Sequence, residues 1–335
     1  MLTIIQDFVK QHLPAKKKTT PSGWTSFNAV CCVHNGETPD TRGRGGLTAN
    51  QDGSVSYHCF NCNFKTSYQP GRHLTFKFRK FLKWLSVDDS EIKRLVIEAI
   101  RVRELVNPEE VKIEQEEKIE FKSRDLPEDR ISFNNLNLKN NAKDAHPALE
   151  YCYDRKIDLE KYEFYVTKQQ QYNLHKRVIV PMIWQGKTIG YTARAIEDNV
   201  KPKYHSHYEP NFVFNINNQE KDWKFVIVSE GPFDAMSVDG VAVLNNEVNE
   251  TQADIIESLG REVIVVADRD RAGSKMLNSA MEYGWSASFP VWQETCKDIN
   301  EAVVKYGKLF VLKAILDGKE TSKLKIELMR KKLYN

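Results

Sequence analysis

At 335 residues, 41% hydrophobic and 28% charged, the chain is long enough for two or three domains with real cores and too varied along its length to be one uniform domain. A formal net charge of +3 excludes any argument for a nucleic-acid partner from global charge, so local patches must carry it. Four of the six cysteines cluster as Cys31, Cys32, Cys59 and Cys62, with Cys152 and Cys296 apart. That distribution suits a metal site in a reducing, cytoplasmic compartment better than a disulfide framework. No apolar run approaches membrane length and the start carries no signal-peptide pattern, so no membrane association is expected.

In chain order, apolar positions at helical spacing predict a short helix ending before Pro14, then a basic hinge at Lys16–Lys18. From Trp24 to Gly71 the chain is rich in Gly, Thr, Asn and aromatics, too poor in apolar mass to fold without a staple. Cys31-x-x-His34 and Cys59-x-x-Cys62 supply one, since two knuckles can place four nitrogen and sulfur ligands around Zn²⁺. Cys32 is the alternative to Cys31, although Cys-x-His is the poorer knuckle spacing. Arg72–Leu105 reads as two helices, the second introduced by a capping box at Ser86-x-x-Asp89. The first alternates Lys77, Arg79, Lys80 and Lys83 with Phe76, Phe78, Phe81 and Trp84, which fits either a single-strand-tracking helix or a solvated face over a small core. Glu109–Glu120 then reads as a charged linker or helix.

His146-Pro147 predicts a helix start, and Arg177–Trp184 with Lys187–Arg194, joined at Gln185-Gly186, predicts a hairpin. The apolar runs Phe225–Val228, Val241–Leu244 and Val263–Ala267 alternate with two short helical patterns, which is β-α-β-α-β punctuation and implies a parallel sheet. Glu230 follows the first run, and Asp268 and Asp270 follow the last. Ligand sites in such sheets gather at the carboxyl ends of strands, so these acids are expected at one edge. Converging carboxylates without His or Cys point to Mg²⁺ or Mn²⁺.

The motifs EGPFD (Glu230–Asp234) and DRDRAG (Asp268–Gly273) resemble the Toprim domain of DNA primases, topoisomerases and some nucleases, and are most similar to bacterial and bacteriophage primases. CCVHNGETP followed by YHCFNC resembles the zinc-binding domain at the amino end of the same primases. RVIVPMI, GYTAR and KPKY resemble the basic subdomain that precedes Toprim, and KDINEAV (Lys297–Val303) resembles its third acidic motif, with Asn300 where a second Asp is common.

The resemblance implies an α/β fold: a Toprim core, a mixed α+β basic subdomain before it and an amino-terminal zinc ribbon. The expected division is a zinc-binding domain with helical extension over 1–105, a charged linker over 106–130 and a primase core over 131–335. Within that core lie a basic subdomain (131–223), Toprim (224–310) and a carboxyl-terminal helix (311–335). The implied activity is synthesis of RNA primers on single-stranded DNA from ribonucleoside triphosphates. In that scheme Asp268, Asp270 and Asp298 hold metal, Glu230 is a ligand or general base, and Asp234 is a ligand or supports one. Arg177, Arg194, Lys203 and Tyr204 would face nucleotide and DNA. Tyr57, Phe60, Phe64, Arg42, Arg44 and Lys65 become candidates for template contact. No P-loop motif is present, so a separate replicative helicase is the implied partner. The rival readings are a Toprim nuclease or topoisomerase fragment, and a non-enzymatic zinc single-strand-binding protein.

Overall fold

Helix α1 (Ile4–His12) buries Ile5 and Val9, one turn apart, and gives way to an extended Leu13 because the following proline disfavours helical geometry in the residue before it. Strands β1 (Lys17–Thr19), β2 (Thr25–Phe27), β3 (Gly45–Ala49), β4 (Val55–Cys59) and β5 (Lys65–Tyr68) form an antiparallel sheet in that order. In β4 the period-two alternation turns Val55, Tyr57 and Cys59 inward. Helix α2 (Phe76–Trp84) is capped by Thr75, whose hydroxyl accepts from the Phe78 N–H, and it buries Phe78, Phe81 and Leu82 completely. Its aromatics at 78 and 81 are therefore core and cannot stack on bases, which removes that part of the single-strand-tracking reading. Helix α3 (Asp89–Leu105) starts at Asp89, and Ser86 lies before it at φ 66°, so the expected capping box does not form.

The computed structural model describes residues 2–21, 23–105, 119–135, 138–270, 273–293 and 296–334. The chain divides into two units, Met1–Lys118 with Glu257–Arg261, and Ile119–Ile256 with Glu262–Asn335. Most of the expected linker, residues 106–118, lies outside the described residues.

The second unit holds two further sheets. Strands β6 (Ile131–Ser132), β7 (Tyr165–Val166), β8 (Arg177–Trp184), β9 (Lys187–Ala195) and β10 (Tyr204–Tyr208) pair antiparallel in the order β10-β9-β8-β7-β6. Gln185 and Gly186, at φ 47° and 78°, make the two-residue turn between β8 and β9 whose twist matches the strands. Helix α4 (Leu138–Asp154), between β6 and β7, runs through Pro147 and begins earlier than His146-Pro147 predicts.

The third sheet has the order β12-β11-β13-β14-β15. In chain order it comprises β11 (Phe225–Ser229), α5 (Pro232–Ser237), β12 (Val241–Ala242), α6 (Glu250–Glu257), β13 (Glu262–Val265), α7 (Ser274–Tyr283) and β14 (Ser286–Ser288). Then follow α8 (Ile299–Tyr306), α9 (Lys308–Asp317), β15 (Lys319–Glu320) and α10 (Lys323–Tyr334). β12, β11, β13 and β14 are parallel, with Val228 opposite both Val241 and Val265, and only β15 runs antiparallel. Val226, Val228, Ile264 and Val265 are all buried, as expected for strands covered on both faces. The expected α/β fold with a parallel βαβ core is present. The chain beyond Glu301 is broken into separate helices at Gly307 and Gly318. Among the described residues no helix is long and apolar enough to cross a membrane.

Candidate active site and cysteine cluster

The parallel sheet places its acids where the strands end. Glu230 is the first residue after β11, and its carbonyl accepts from the Leu244 N–H at 3.0 Å, fixing the turn. Asp234 lies in the first turn of α5, 7% exposed, where the helix N-terminus favours negative charge. A Cβ on Gly231 would stand 2.9 Å from Asp234 Oδ2, so the turn needs a residue without a side chain for this approach. Asp268 follows β13, and a Cβ on Gly273 would collide with its carbonyl oxygen at 2.1 Å. Asp298 caps α8, accepting from the Glu301 N–H at 2.8 Å.

These acids sense one another. Burial, then the charges of Asp270 and Asp234, push the Glu230 carboxyl up to about 7 against a hydrogen bond from the Asp268 backbone. Asp268 is pushed up to about 8 by burial and by Glu230, Asp298 and Asp270, with Lys203 opposing. Burial and the charges of Asp298 and Asp268 raise Asp234 well above the usual carboxylate range, and burial raises Asp298. Asp270 is exposed at the rim, and its Oδ1 accepts from the Gly273 N–H at 2.8 Å. Glu230 Oε1 is buried with no hydrogen-bond partner. An orphaned buried acceptor among mutually repelling oxygen donors fits a hard divalent cation.

Lys203 is exposed and is coupled electrostatically to Asp298, Asp234 and Asp268. Arg194 lies opposite Tyr204 in the β9–β10 pairing, 8% exposed, with its guanidinium 4.8 Å from the Tyr204 ring centre and 5.9 Å from that of Phe233. Its Nε has no hydrogen-bond partner. Arg177 is different from the expectation. It is 1% exposed, and its guanidinium donates to the carbonyls of Tyr172, Ala193, Pro202 and Lys203 at 2.8–3.3 Å. With four of its five N–H donors on main-chain carbonyls and the side chain buried, Arg177 holds the β8–β9–β10 junction instead of facing a triphosphate.

Two further residues enter the site, Arg155 with no motif to announce it and Asn300 from within the third acidic motif. Asn300, 1% exposed, donates its backbone N–H to Asp234 Oδ1 at 3.0 Å and its side-chain amide to Ser237 Oγ and the Arg155 carbonyl. Arg155 Nη1 donates back to Asn300 Oδ1 at 2.5 Å, and its charge lowers Asp234 and Asp298. For Asn300 the one signal is an Asn standing where the motif commonly has an acid.

In the first unit the thiols of Cys31, Cys32, Cys59 and Cys62 all lie within 4.8 Å of one another, the one such group of potential ligands among the described residues. Cys31 Sγ is 3.4 Å from Cys62 Sγ, and Cys32 Sγ is 3.6 Å from Cys59 Sγ. His34 does not join them. It is exposed, with its ring stacked on Trp84 at 5.0 Å, and Cys32 supplies the fourth donor. The turn Cys32–Asn35 points Cys32 inward from its buried first position, which spacing alone did not reveal. Asn35 Nδ2, Asn61 Nδ2 and the Asn61 N–H each donate to a cysteine sulfur at 3.4 Å, the outer hydrogen bonds that orient thiolate ligands. Burial pushes the Cys31 and Cys32 thiols up, Cys32 to about 11, while Cys62, against its own burial, is held down by hydrogen bonds, that from the Phe64 backbone foremost. Four sulfurs at these separations fit a tetrahedral metal. Tyr57 is buried with its hydroxyl 3.3 Å from Cys31 Sγ, while Phe60 is 61% exposed.

Residues 227–303, which include Glu230, Asp234, Asp268, Asp270 and Asp298 and most of the parallel strands, match the family model described as Toprim-like. A curated DNA primase of Aquifex aeolicus (strain VF5) is 26% identical over 152 residues, covering 40% of this chain and 30% of that relative. The chain thus matches less than a third of the relative's length. The zinc-binding and RNA polymerase domains of the Aquifex aeolicus primase align at 16% identity and a TM-score of 0.45 over 94% of this chain and 83% of theirs. The DnaG catalytic core aligns at 18% identity and a TM-score of 0.45 over 58% and 79%.

Proposed function

We propose that this chain is a DNA primase that makes short RNA primers on single-stranded DNA by nucleotidyl transfer. The observation that carries the reading is the electrostatic coupling of Glu230, Asp234, Asp268 and Asp298 with one another and of Lys203 with the three aspartates, in a Toprim-like domain where Glu230 Oε1 is buried and unpartnered. The match to a DNA primase supports it over the nuclease and topoisomerase alternatives that share the domain.

Glu230, Asp268 and Asp298, with Asp270 at the rim, would hold Mg²⁺ or Mn²⁺, which when bound would acidify the attacking hydroxyl and stabilise charge on the transferring phosphoryl group. Asp234 is held by Asn300 and shapes the field at the other acids. If it lies outside the metal's coordination, Glu230 would instead be the general base for the hydroxyl's proton. Lys203 and Arg194 supply the cations a polyphosphate needs, and Tyr204 supports Arg194. The four cysteines would hold Zn²⁺ in a template-reading domain over 1–105, with exposed Phe60 available to stack on a base. Ribonucleoside triphosphates and single-stranded DNA are the substrates, and a replicative helicase is the partner.

Incubation with single-stranded DNA, the four ribonucleotides and Mg²⁺ tests this. Oligoribonucleotides are expected. Cut DNA alone would replace the reading with a nuclease, and a shifted DNA band alone with a binding protein.

A further inference from the structure

Within the third acidic segment Asn300 is neutral, and the Glu301 carboxylate accepts from the Lys297 N–H at 2.8 Å, which leaves Asp298 as the segment's contribution to the group of acids. The chain is held on both sides of it. Two residues after Asp298, the Asn300 N–H donates to Asp234 at 3.0 Å. One residue before it, the Lys297 carbonyl accepts from the Arg269 N–H at 2.8 Å. Arg269 stands between Asp268 and Asp270, so this bond ties the third segment to the second.

The Arg269 side chain extends the tie. β13 and β14 are neighbouring parallel strands, so the loops that follow them leave the sheet at the same edge. The loop from β14 to α8 spans residues 289–298. Half-buried Arg269 reaches across it, Nη1 donating to the Trp292 and Gln293 carbonyls at 3.3 and 3.2 Å and Nη2 to the Pro290 carbonyl at 2.7 Å. Its guanidinium lies 5.0 Å from the centre of the Trp292 ring, whose indole N–H donates to the Cys296 carbonyl at 3.2 Å. Val291, in the middle of these carbonyls, is 84% exposed, so packing does not anchor the turn at that point. A planar fork can gather several carbonyls at once, which a single ammonium group cannot do in the same geometry. We propose that Arg269 is a positioning residue: by clamping the loop that leads to Asp298, it sets where that carboxylate stands against Asp268, and with it the affinity of the acids for a divalent cation.

This inference rests on the reading that the acids hold such a cation, and its test needs neither DNA nor nucleotide. Mn²⁺ binding to the full chain is followed by electron paramagnetic resonance, well below the melting temperature. Arg269→Ala is expected to weaken it about tenfold, the scale on which partners that orient metal ligands act. Arg269→Lys keeps the charge and the aliphatic stem but loses the fork, so it should bind Mn²⁺ as weakly, and it carries the comparison if Arg269→Ala melts early. In an Asp298→Asn background, adding Arg269→Ala should cost no more than about twofold further, because two changes that act through one carboxylate are not additive. Parent-like binding in Arg269→Lys, or losses that add in the double variant, overturns the positioning role. A parent chain that binds no Mn²⁺ overturns the cation reading of the acids, and this role with it.

Discussion

The backbone N–H of Asn300 meets Asp234 Oδ1 at 3.0 Å, and through that bond the third acidic segment is tied to the first. The Asn300 side chain completes the tie by bridging Arg155 and Ser237. Asn300→Ala would keep the backbone bond but remove the acceptor of Arg155 Nη1 and the donor to Ser237 Oγ and the Arg155 carbonyl, a loss of roughly 1–3 kcal/mol for buried hydrogen bonds left unmade. A lower melting temperature together with reduced primer yield is expected. Unchanged melting would show that the bridge contributes nothing.

The cysteine cluster separates two ligand sets cleanly. Cys32→Ser is expected to lower bound zinc below one per chain and to destabilise the first unit, because metal binding and folding are coupled in such sites. His34→Ala should keep its zinc, since the ring lies against Trp84 instead of the sulfurs. Zinc content by mass spectrometry under native conditions reads the difference. Zinc lost from His34→Ala and kept in Cys32→Ser would restore the Cys31, His34, Cys59, Cys62 set.

Arg177→Ala and Lys203→Ala should fail in different ways. Arg177 is buried with four carbonyls as partners, so its removal should cost about 3 kcal/mol or more and show in thermal melting. Lys203 is exposed, so Lys203→Ala should melt like the parent, need more nucleotide and lose some of the salt dependence of binding. Equal melting for both variants would contradict the burial of Arg177.

Much of this was legible in the sequence, and the misses share a cause. The hairpin at 177–194 is announced by Gln185-Gly186, and the parallel sheet by Val- and Ile-rich runs that end in acid, because both signals are local in the chain. Arg177 was misplaced because the resemblance turned it toward nucleotide, and only the fold shows four carbonyls converging on it. Cys32 and His34 compete within one short turn, where spacing does not fix which side chain points inward. Arg155 and Asn300 lie 145 positions apart, and no periodicity connects them. Phe78 and Phe81 belong to an amphipathic pattern whose buried face, and not its chemistry, determines where they go.

The carboxylates give the most exacting prediction. Glu230 and Asp268 are raised in the folded chain to about 7 and about 8, above their unfolded values, so the native state binds protons more tightly than the unfolded one. Their contribution to stability is full below the unfolded carboxylate range, near pH 4, and is lost as pH rises through about 7 to 8. In EDTA the melting temperature should therefore fall as pH is raised from about 5 to about 8.5, and Asp268→Asn, which removes one of the repelling charges, should flatten that decline. Added Mg²⁺ should raise the parent's melting temperature at the alkaline end and do less for Asp268→Asn. If the proposed function holds, primer yield from Asp268→Asn should fall by orders of magnitude while the protein remains folded, since Asp268 would hold the cation that stabilises charge on the reacting phosphate. Melting in EDTA that rises with pH would contradict the repulsion between these acids. Near-parent primer synthesis by Asp268→Asn would place the active site elsewhere in the chain.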